Sequence, residues 1–209
     1  HGHLFKDSFS LNYCHEYISD LKKFGDLATK LKFKGEMTLT YAIRESSKRM
    51  HYPTAMISEK ALDYGAVVPL YFLTKHLPNT TILPIGFSAL DWKNHTDFGY
   101  LIKEQIMKTN KRVAVIASCD LSHALTTDAP AGYHPAGEEF DQKIQELLAS
   151  GNTSGLLQLN HDLVADATEC GFRALLILLG ILRNIHYTYK SYAYENPFGV
   201  GYLTANIIL

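Results

Sequence analysis

Several short stretches place residues that can bind a metal or move a proton beside long apolar runs. Polar groups that enter a core need partners, and beside an open cleft those partners are a metal or a substrate. Two imidazoles and a carboxylate on one face leave open positions around a metal, an arrangement that suits Fe(II) and oxygen chemistry. The candidate residues are His1, Tyr64, Asp120, His123, His134, Glu169 and Cys170.

Each candidate also has an interpretation without chemistry. Asp120 can cap a helix, which leaves His123 as an ordinary loop histidine. Glu169 opens a very apolar segment, where a carboxylate interacts with the dipole of a helix N-terminus and Cys170 is a packed thiol. His134, in the loop "PAGYHPAG", is either solvated or folded over the segment that ends at Ser118.

The elements that must position these residues predict a βαβ unit. Residues 80–87 and 112–118 read as buried strands, and residues 95–110 between them have apolar residues at helical spacing. Strand, helix and strand in this order favour a right-handed crossover in a parallel sheet. Ligands of such sheets lie beyond the carboxyl ends of the strands, where Asp120 and His123 follow at once.

The rest of the chain predicts alternating helices and a final hairpin. Helices are expected at 37–50, 138–150 and 153–160, and an apolar helix at about 162–182. Residues 66–77 read as buried, with Pro69 near the first turn of a helix. The segment after residue 186 reads as two strands joined across "ENPFG". We therefore expect one α/β domain over residues 1–209, with three α/β/α layers, a mostly parallel central sheet and a C-terminal antiparallel hairpin.

Composition excludes several classes of protein. The 209-residue chain has 20 basic and 21 acidic residues and a formal charge of −1, which carries no signature of nucleic-acid or membrane-surface binding. No run approaches the roughly 20 apolar residues of a membrane span. Three widely spaced cysteines argue for a reducing compartment, and we do not expect the first residues to act as a signal peptide. A cytoplasmic, soluble protein is the expectation.

Six blocks, taken in order, resemble the catalytic subunits of the class III extradiol ring-cleavage dioxygenase superfamily. The similarity is greatest to the branch associated with the AmmeMemoRadiSam system, which is related to the Memo proteins, and it spans residues 1 to about 206. The blocks are "HGHLFKDSF", "LDYGAVVPLYFL", "ASCDLSH", "AGYHPAGEEFD", "ECGFRALLILLG" and "PFGVGYLTA".

The resemblance implies a set of metal ligands. His1 matches the first metal histidine of the family, whose preceding strand is absent from this sequence. Tyr64 stands where the family commonly has a second metal histidine. Glu169 matches the metal carboxylate of the dioxygenase-like branch and is the favoured ligand, while Cys170 resembles the cysteine that Memo proteins place in the corresponding site.

The same resemblance implies the residues that act on the substrate. His123 matches the acid/base histidine of a Ser-Gly-Asp-Leu-Ser-His block, in which this chain keeps Asp120 and has Cys119 in place of glycine. His123 would take a proton from a substrate hydroxyl and return one later, a role suited to an imidazole. His134 would hydrogen-bond the substrate or the bound oxygen.

The implied activity is ring cleavage of a catechol-like substrate with Fe(II) and O₂. Tyr64 opens alternatives, because a phenol with a reference pKa of about 10 must lose a proton to bind a metal well. Either Tyr64 binds as phenolate, His3 or another histidine replaces it, or the metal site is weak or empty. The cofactor alternatives to Fe(II) are zinc, copper or no metal. The alternative function is a Memo-like protein that binds a metal or small molecule without oxygenase activity. The substrate, a homo-oligomer and a partner domain stay open.

Overall fold

The computed structural model describes residues 4–209, in which seven α-helices and eight strands form an α/β fold with three small sheets. Two compact units share these residues. The first takes residues 4–118 and Leu176–Ile181, and the second takes Cys119–Leu175 and Leu182–Leu209. The single three-layer domain remains a prediction. None of the helices within residues 4–209 is long and apolar enough to cross a membrane.

The first unit contains two of the sheets and three complete helices. Its elements are β1 (Phe9–Asn12), β2 (Glu16–Leu21), β3 (Asp26–Gly35), α1 (Met37–Arg49), β4 (Thr54–Ile57), α2 (Tyr64–Leu73), β5 (Thr81–Ile82), β6 (Ile85–Gly86) and α3 (Trp92–Ile106). Helices α1 and α3 confirm the helical patterns predicted at 37–50 and 95–110.

The prediction of a mostly parallel central sheet is wrong. One sheet has the order β4-β1-β6, with β1 parallel to β4 and antiparallel to β6. The other has the order β2-β3-β5, with β3 antiparallel to β2 and parallel to β5. The predicted strand at 80–87 is divided between the two sheets around Pro84, because proline has no N–H to donate to a ladder.

The second predicted strand, residues 112–118, is also absent from the sheets of the described residues. Val113, Val115 and Ile116 stay between 38% and 44% exposed. An apolar run indicates a preference for burial, whereas a ladder also needs a neighbouring strand in register. Residues 112–118 meet the first condition but have no neighbouring strand among residues 4–209, so the predicted βαβ unit does not form within them.

The main core of the first unit lies between its helices and β1. Phe9 and Leu11 of β1 pack with Ile43 of α1 and Phe98 of α3, and the rings of Phe9 and Phe98 are stacked with centroids 4.0 Å apart. Leu101 and Ile102, on the same side of α3, belong to this core, as the helical spacing predicted.

Helix α2 is less buried than its apolar sequence predicts. Only Val67 is fully buried, while Phe72 and Leu73 are more than half exposed. Pro69 lies inside the helix rather than in its first turn, and it cannot donate the hydrogen bond expected at the Gly65 carbonyl. The Ser118 hydroxyl donates to that carbonyl at 2.5 Å instead.

The second unit is built from helices and the predicted hairpin. Its elements are α4 (Pro135–Ala149), α5 (Thr153–Leu157), α6 (His161–Asp166), the first turn of α7 (Phe172–Ile181), β7 (Thr188–Glu195) and β8 (Tyr202–Ile208). Strands β7 and β8 pair antiparallel from Thr188 opposite Ile208 to Glu195 opposite Tyr202, which confirms the hairpin.

The single helix predicted at 162–182 is wrong, because α6 and α7 are separate helices. Thr168 adopts a positive φ of 50°, which ends the helical path between them. The Glu169 carboxylate then caps the beginning of α7. Apolar periodicity alone did not indicate this break.

Candidate metal and proton-transfer site

The loop between Cys119 and Leu125 is held by backbone hydrogen bonds on two sides. Leu121 donates to the Gly201 carbonyl at 2.8 Å, and Gly201 donates to the Ser122 carbonyl at 2.8 Å. On the other side, His123 donates to the Ala167 carbonyl at 3.1 Å. The start of β8 and the end of α6 therefore fix the backbone that carries Asp120 and His123.

Ser122 ties the same loop together from inside. Its side chain is fully buried, and its hydroxyl donates to the Ala167 carbonyl at 2.9 Å while accepting the Ala124 N–H at 3.0 Å. A hydroxyl that bonds two backbone groups in a buried loop removes much of the freedom of the residues beside it. His123 is one of those residues.

Asp120, His123 and Cys170 converge in the second unit. One ligand atom from each lies within 4.8 Å of the other two. The Asp120 Oδ2 is 3.6 Å from His123 Nε2, and the Cys170 thiol donates to the same oxygen at 3.8 Å. His123 Nε2 is buried and has no hydrogen-bond partner among the described residues. This unpartnered imidazole nitrogen lies beside a thiol and a carboxylate, and these three ligand types suit a divalent transition metal.

The two cysteines of this region are held in their neutral form. Burial raises the pKa of the Cys119 thiol to about 12, and the charges of Asp120 and Glu169 act in the same direction. Burial also raises the pKa of Cys170, although a hydrogen bond with the backbone of Asp120 lowers it, and the charges of Asp120 and Glu169 raise it further. A thiol binds a metal as thiolate, so metal binding at Cys170 would release a proton.

Close packing brings Cys119 against the start of α7. A β-carbon added to Gly171 would lie 1.7 Å from the Cys119 Cβ, so only glycine permits this approach. The Glu-Cys-Gly block thus has a structural reason for its glycine, which seats Cys170 beside the Asp120 loop.

Glu169 uses its carboxylate as a helix cap. Its Oε2 accepts the N–H groups of Gly171 at 2.7 Å and Phe172 at 2.5 Å, which satisfies two donors at the beginning of α7. This is the structural role considered for it in the sequence. Glu169 is not part of the three-residue cluster, although its charge reaches both cysteines.

His134 is exposed and caps helix α4. Its Nδ1 accepts the Ala136 N–H at 3.3 Å, and its own N–H donates to the Ala124 carbonyl at 2.9 Å. Ala131 donates to the His123 carbonyl at 3.2 Å, so the loop of residues 126–134 is tied back to the site loop. The predicted contact of His134 with a substrate remains a prediction.

Tyr64 begins helix α2 in the first unit. Asp63 caps this helix by accepting the Ala66 N–H at 2.9 Å, while the Tyr64 side chain is 44% exposed. The Phe24 ring stands edge-on at 6.4 Å, and Lys23 Nζ lies 5.4 Å from the centroid of the phenol ring. His1 and His3, which the sequence analysis also considered, lie outside the described residues.

Sequence reasoning missed Asp141 and Tyr194. Asp141 is 1% exposed and accepts the Ser122 N–H at 2.8 Å and the Tyr194 hydroxyl at 2.7 Å. A signal for Asp141 was present, because it shares a helical face with Ile144 and Leu148, three and seven residues later. A carboxylate on the apolar face of an amphipathic helix needs a partner, and here the partner is the site loop.

Comparison with known proteins supports the dioxygenase family that the six blocks resemble, while the Memo-related branch stays a prediction. The profile of the catalytic LigB subunit of aromatic ring-opening dioxygenase matches residues 1–205. Protein CA_C1420 of Clostridium acetobutylicum is 34% identical over 211 residues, which cover 97% of this chain and 45% of that protein. The chain therefore spans less than half the length of this relative.

Proposed function

Because this chain belongs to the family of the catalytic LigB subunit of aromatic ring-opening dioxygenase, we propose that it is a metal-dependent oxidoreductase domain acting on a catechol-like aromatic substrate. One observation carries the proposal, namely the convergence of Asp120, His123 and Cys170 around a buried imidazole nitrogen that has no hydrogen-bond partner among residues 4–209. Family membership supports the reaction class, and the cluster provides groups that can bind a metal and transfer a proton.

Within this cluster we assign metal binding to the Cys170 thiol and proton transfer to the His123 imidazole, so the cluster sets the metal ligand beside the proton acceptor and does not supply three ligands. The Glu169 oxygen that caps α7 already accepts two N–H groups, whereas the Cys170 thiol lies within reach of the other two members of the cluster. This favours Cys170, whereas the sequence favoured Glu169. Of the further ligands that the resemblance implies, His1 stays part of the proposal, whereas we assign neither Tyr64 nor Glu169 to the metal.

His123 and Asp120 form a pair suited to moving a proton. The Asp120 carboxylate, 3.6 Å from His123 Nε2, stabilises the imidazolium that forms when His123 accepts a proton from a substrate hydroxyl. The backbone bonds of His123 and the buried Ser122 hold the ring in place for this transfer. A bound Fe(II) would align the aromatic diol with O₂ and accept their charge.

The proposal is tested by loading purified protein anaerobically with Fe(II), measuring bound metal, and then recording oxygen uptake with a panel of catechols. We expect about one bound iron per chain and oxygen uptake that depends on the catechol. Protein that retains no iron would contradict the proposal. Matched samples loaded with Zn²⁺ and Cu²⁺ identify the preferred metal.

A second function is favoured by the thiol itself. Thiolate ligands suit zinc and copper as well as iron, and Cys170 rather than a carboxylate of Glu169 reaches the cluster. A Memo-like protein that binds a metal without oxygenase activity would retain zinc or copper tightly and consume no oxygen with any catechol. The same two measurements therefore separate the two functions.

A further inference from the structure

A buried carboxylate on helix α4 connects the site loop to the C-terminal hairpin. Both oxygens of Asp141 are used: Oδ1 accepts the Ser122 N–H at 2.8 Å and Oδ2 accepts the Tyr194 hydroxyl at 2.7 Å. Asp141 is 1% exposed, so water does not replace these partners. One side chain thus joins α4, β7 and the residue before His123.

Packing leaves Asp141 little freedom to move. A β-carbon added to Gly201 would lie 1.9 Å from Asp141 Oδ2, so the backbone before β8 approaches the carboxylate as closely as glycine allows. Gly201 also exchanges hydrogen bonds with Leu121 and Ser122 on the site loop. Gly201 therefore restricts the movement of both the Asp141 carboxylate and the site loop that this carboxylate contacts.

We infer that Asp141 and Tyr194 form a clamp that positions His123 by fixing the peptide N–H of Ser122. The role of His123 rests on the proposed function, but the clamp itself is defined by hydrogen bonds between protein groups. Asp141 and Tyr194 are positioning residues, since they act through Ser122. Tyr194 holds one oxygen of Asp141 and Ser122 donates to the other, so the direction of each hydrogen bond fixes the carboxylate and the Ser122 peptide.

The buried carboxylate carries a cost that the clamp offsets. Burial raises the pKa of Asp141, so the charged form is less favourable here than in water. Hydrogen bonds from Tyr194 and Ser122 act in the opposite direction. An asparagine of the same shape accepts from Ser122 and reverses the bond with the Tyr194 hydroxyl, so it should preserve positioning.

Amide hydrogen exchange in the metal-free protein tests the clamp, read at the amides of His123 and Ala124. These amides donate to the Ala167 carbonyl and to Ser122 Oγ, two acceptors that none of the substitutions removes. We expect Asp141→Ala to speed their exchange about tenfold and Tyr194→Phe about threefold, as loss of buried hydrogen bonds predicts. Asp141→Asn should stay within about twofold of the parent.

Two exposed residues of the second unit provide matched controls. Asp166→Asn repeats the change of a carboxylate to an amide on α6, and Tyr192→Phe repeats the loss of a hydroxyl on β7. Both should leave exchange at His123 unchanged. Core amides of α4, such as that of Ile144, report global unfolding, so a merely structural effect would speed their exchange in parallel.

The outcome that overturns the clamp is unchanged protection of the His123 and Ala124 amides in Asp141→Ala. Equal acceleration of the Ile144 amide would also overturn it, because the role would then be general stability. In the iron-loaded protein, we expect Asp141→Ala to lower kcat with little change in KM. Asp141→Asn should keep kcat close to that of the parent. Absence of turnover in the parent would contradict the proposed function and leave the exchange result intact.

Discussion

Helix α2 and the Cys119–Leu125 loop each carry a block of the family signature, but they hold their key side chain in different ways. His123 follows a buried serine on a backbone tied to α6 and β8, and its Nε2 is buried. Tyr64 starts a helix whose cap is well formed, yet its own side chain is 44% exposed beside Phe24 and Lys23. A matching motif therefore predicts the local backbone structure more reliably than it predicts the role of the side chain.

The largest effect should come from His123. In the iron-loaded protein, His123→Gln should lower catechol-dependent oxygen uptake by about 10² to 10⁴-fold, because it removes the acceptor of the substrate proton. Metal content should stay the same. His186→Gln, an exposed histidine in the same unit, is the matched control. Loss of bound metal in His123→Gln would show that His123 is a ligand instead.

The reactivity of the two cysteines provides a second test of the site loop. Burial raises the pKa of the Cys119 thiol to about 12, so iodoacetamide at pH 8 should modify it at least about tenfold more slowly than Cys170. Metal loading should then protect Cys170. Mass spectrometry of the alkylated peptides measures both rates. Modification of Cys170 at the same rate with and without metal would remove it from the metal site.

A substitution at Tyr64 tests whether the α2 block supplies a metal ligand. Tyr64→Phe should change metal affinity by less than about threefold, because a phenol with a reference pKa near 10 is protonated at neutral pH and binds a divalent metal weakly. Competition with a colorimetric chelator measures the affinity. A loss of tenfold or more would establish Tyr64 as a phenolate ligand and make the two blocks equivalent.

The smallest effect concerns the helix cap. Glu169→Ala should lower the free energy of unfolding by about 1 kcal/mol, since it leaves two N–H groups at the start of α7 without their acceptor. Urea denaturation of the metal-free protein measures this change. Asp162→Ala, an exposed acidic residue in the first turn of α6, is the control. Unchanged stability in Glu169→Ala would show that the carboxylate does not stabilise the start of α7 as a cap.

Local patterns predicted the helices and the final hairpin because these elements depend on neighbours in sequence. Helix α3 and the pairing of Thr188 with Ile208 follow from spacing that the chain itself displays. The sheets did not follow, because residues 80–87 divide at Pro84 and residues 112–118 have no ladder partner within the described part of the chain. Strand order depends on distant segments, and no local pattern indicates it.

The site was predicted in residue type more fully than in arrangement. The family blocks pointed to Asp120, His123 and Cys170, which the structure brings together. They could not distinguish Glu169 as a cap from Glu169 as a ligand, because a carboxylate at a helix start suits both. Asp141 was missed although it ends the block "AGYHPAGEEFD", because its contact with Ser122 arises only through the fold.

Metal stoichiometry in a pair of variants tests the central claim most directly. After anaerobic loading with Fe(II) or Zn²⁺ and removal of excess metal, the parent should retain about one equivalent per chain. Glu169→Gln should retain about the same, whereas Cys170→Ser should retain less than about a tenth, since the thiolate is the assigned ligand. Full retention by Cys170→Ser together with loss in Glu169→Gln would contradict the account and return the metal to the carboxylate.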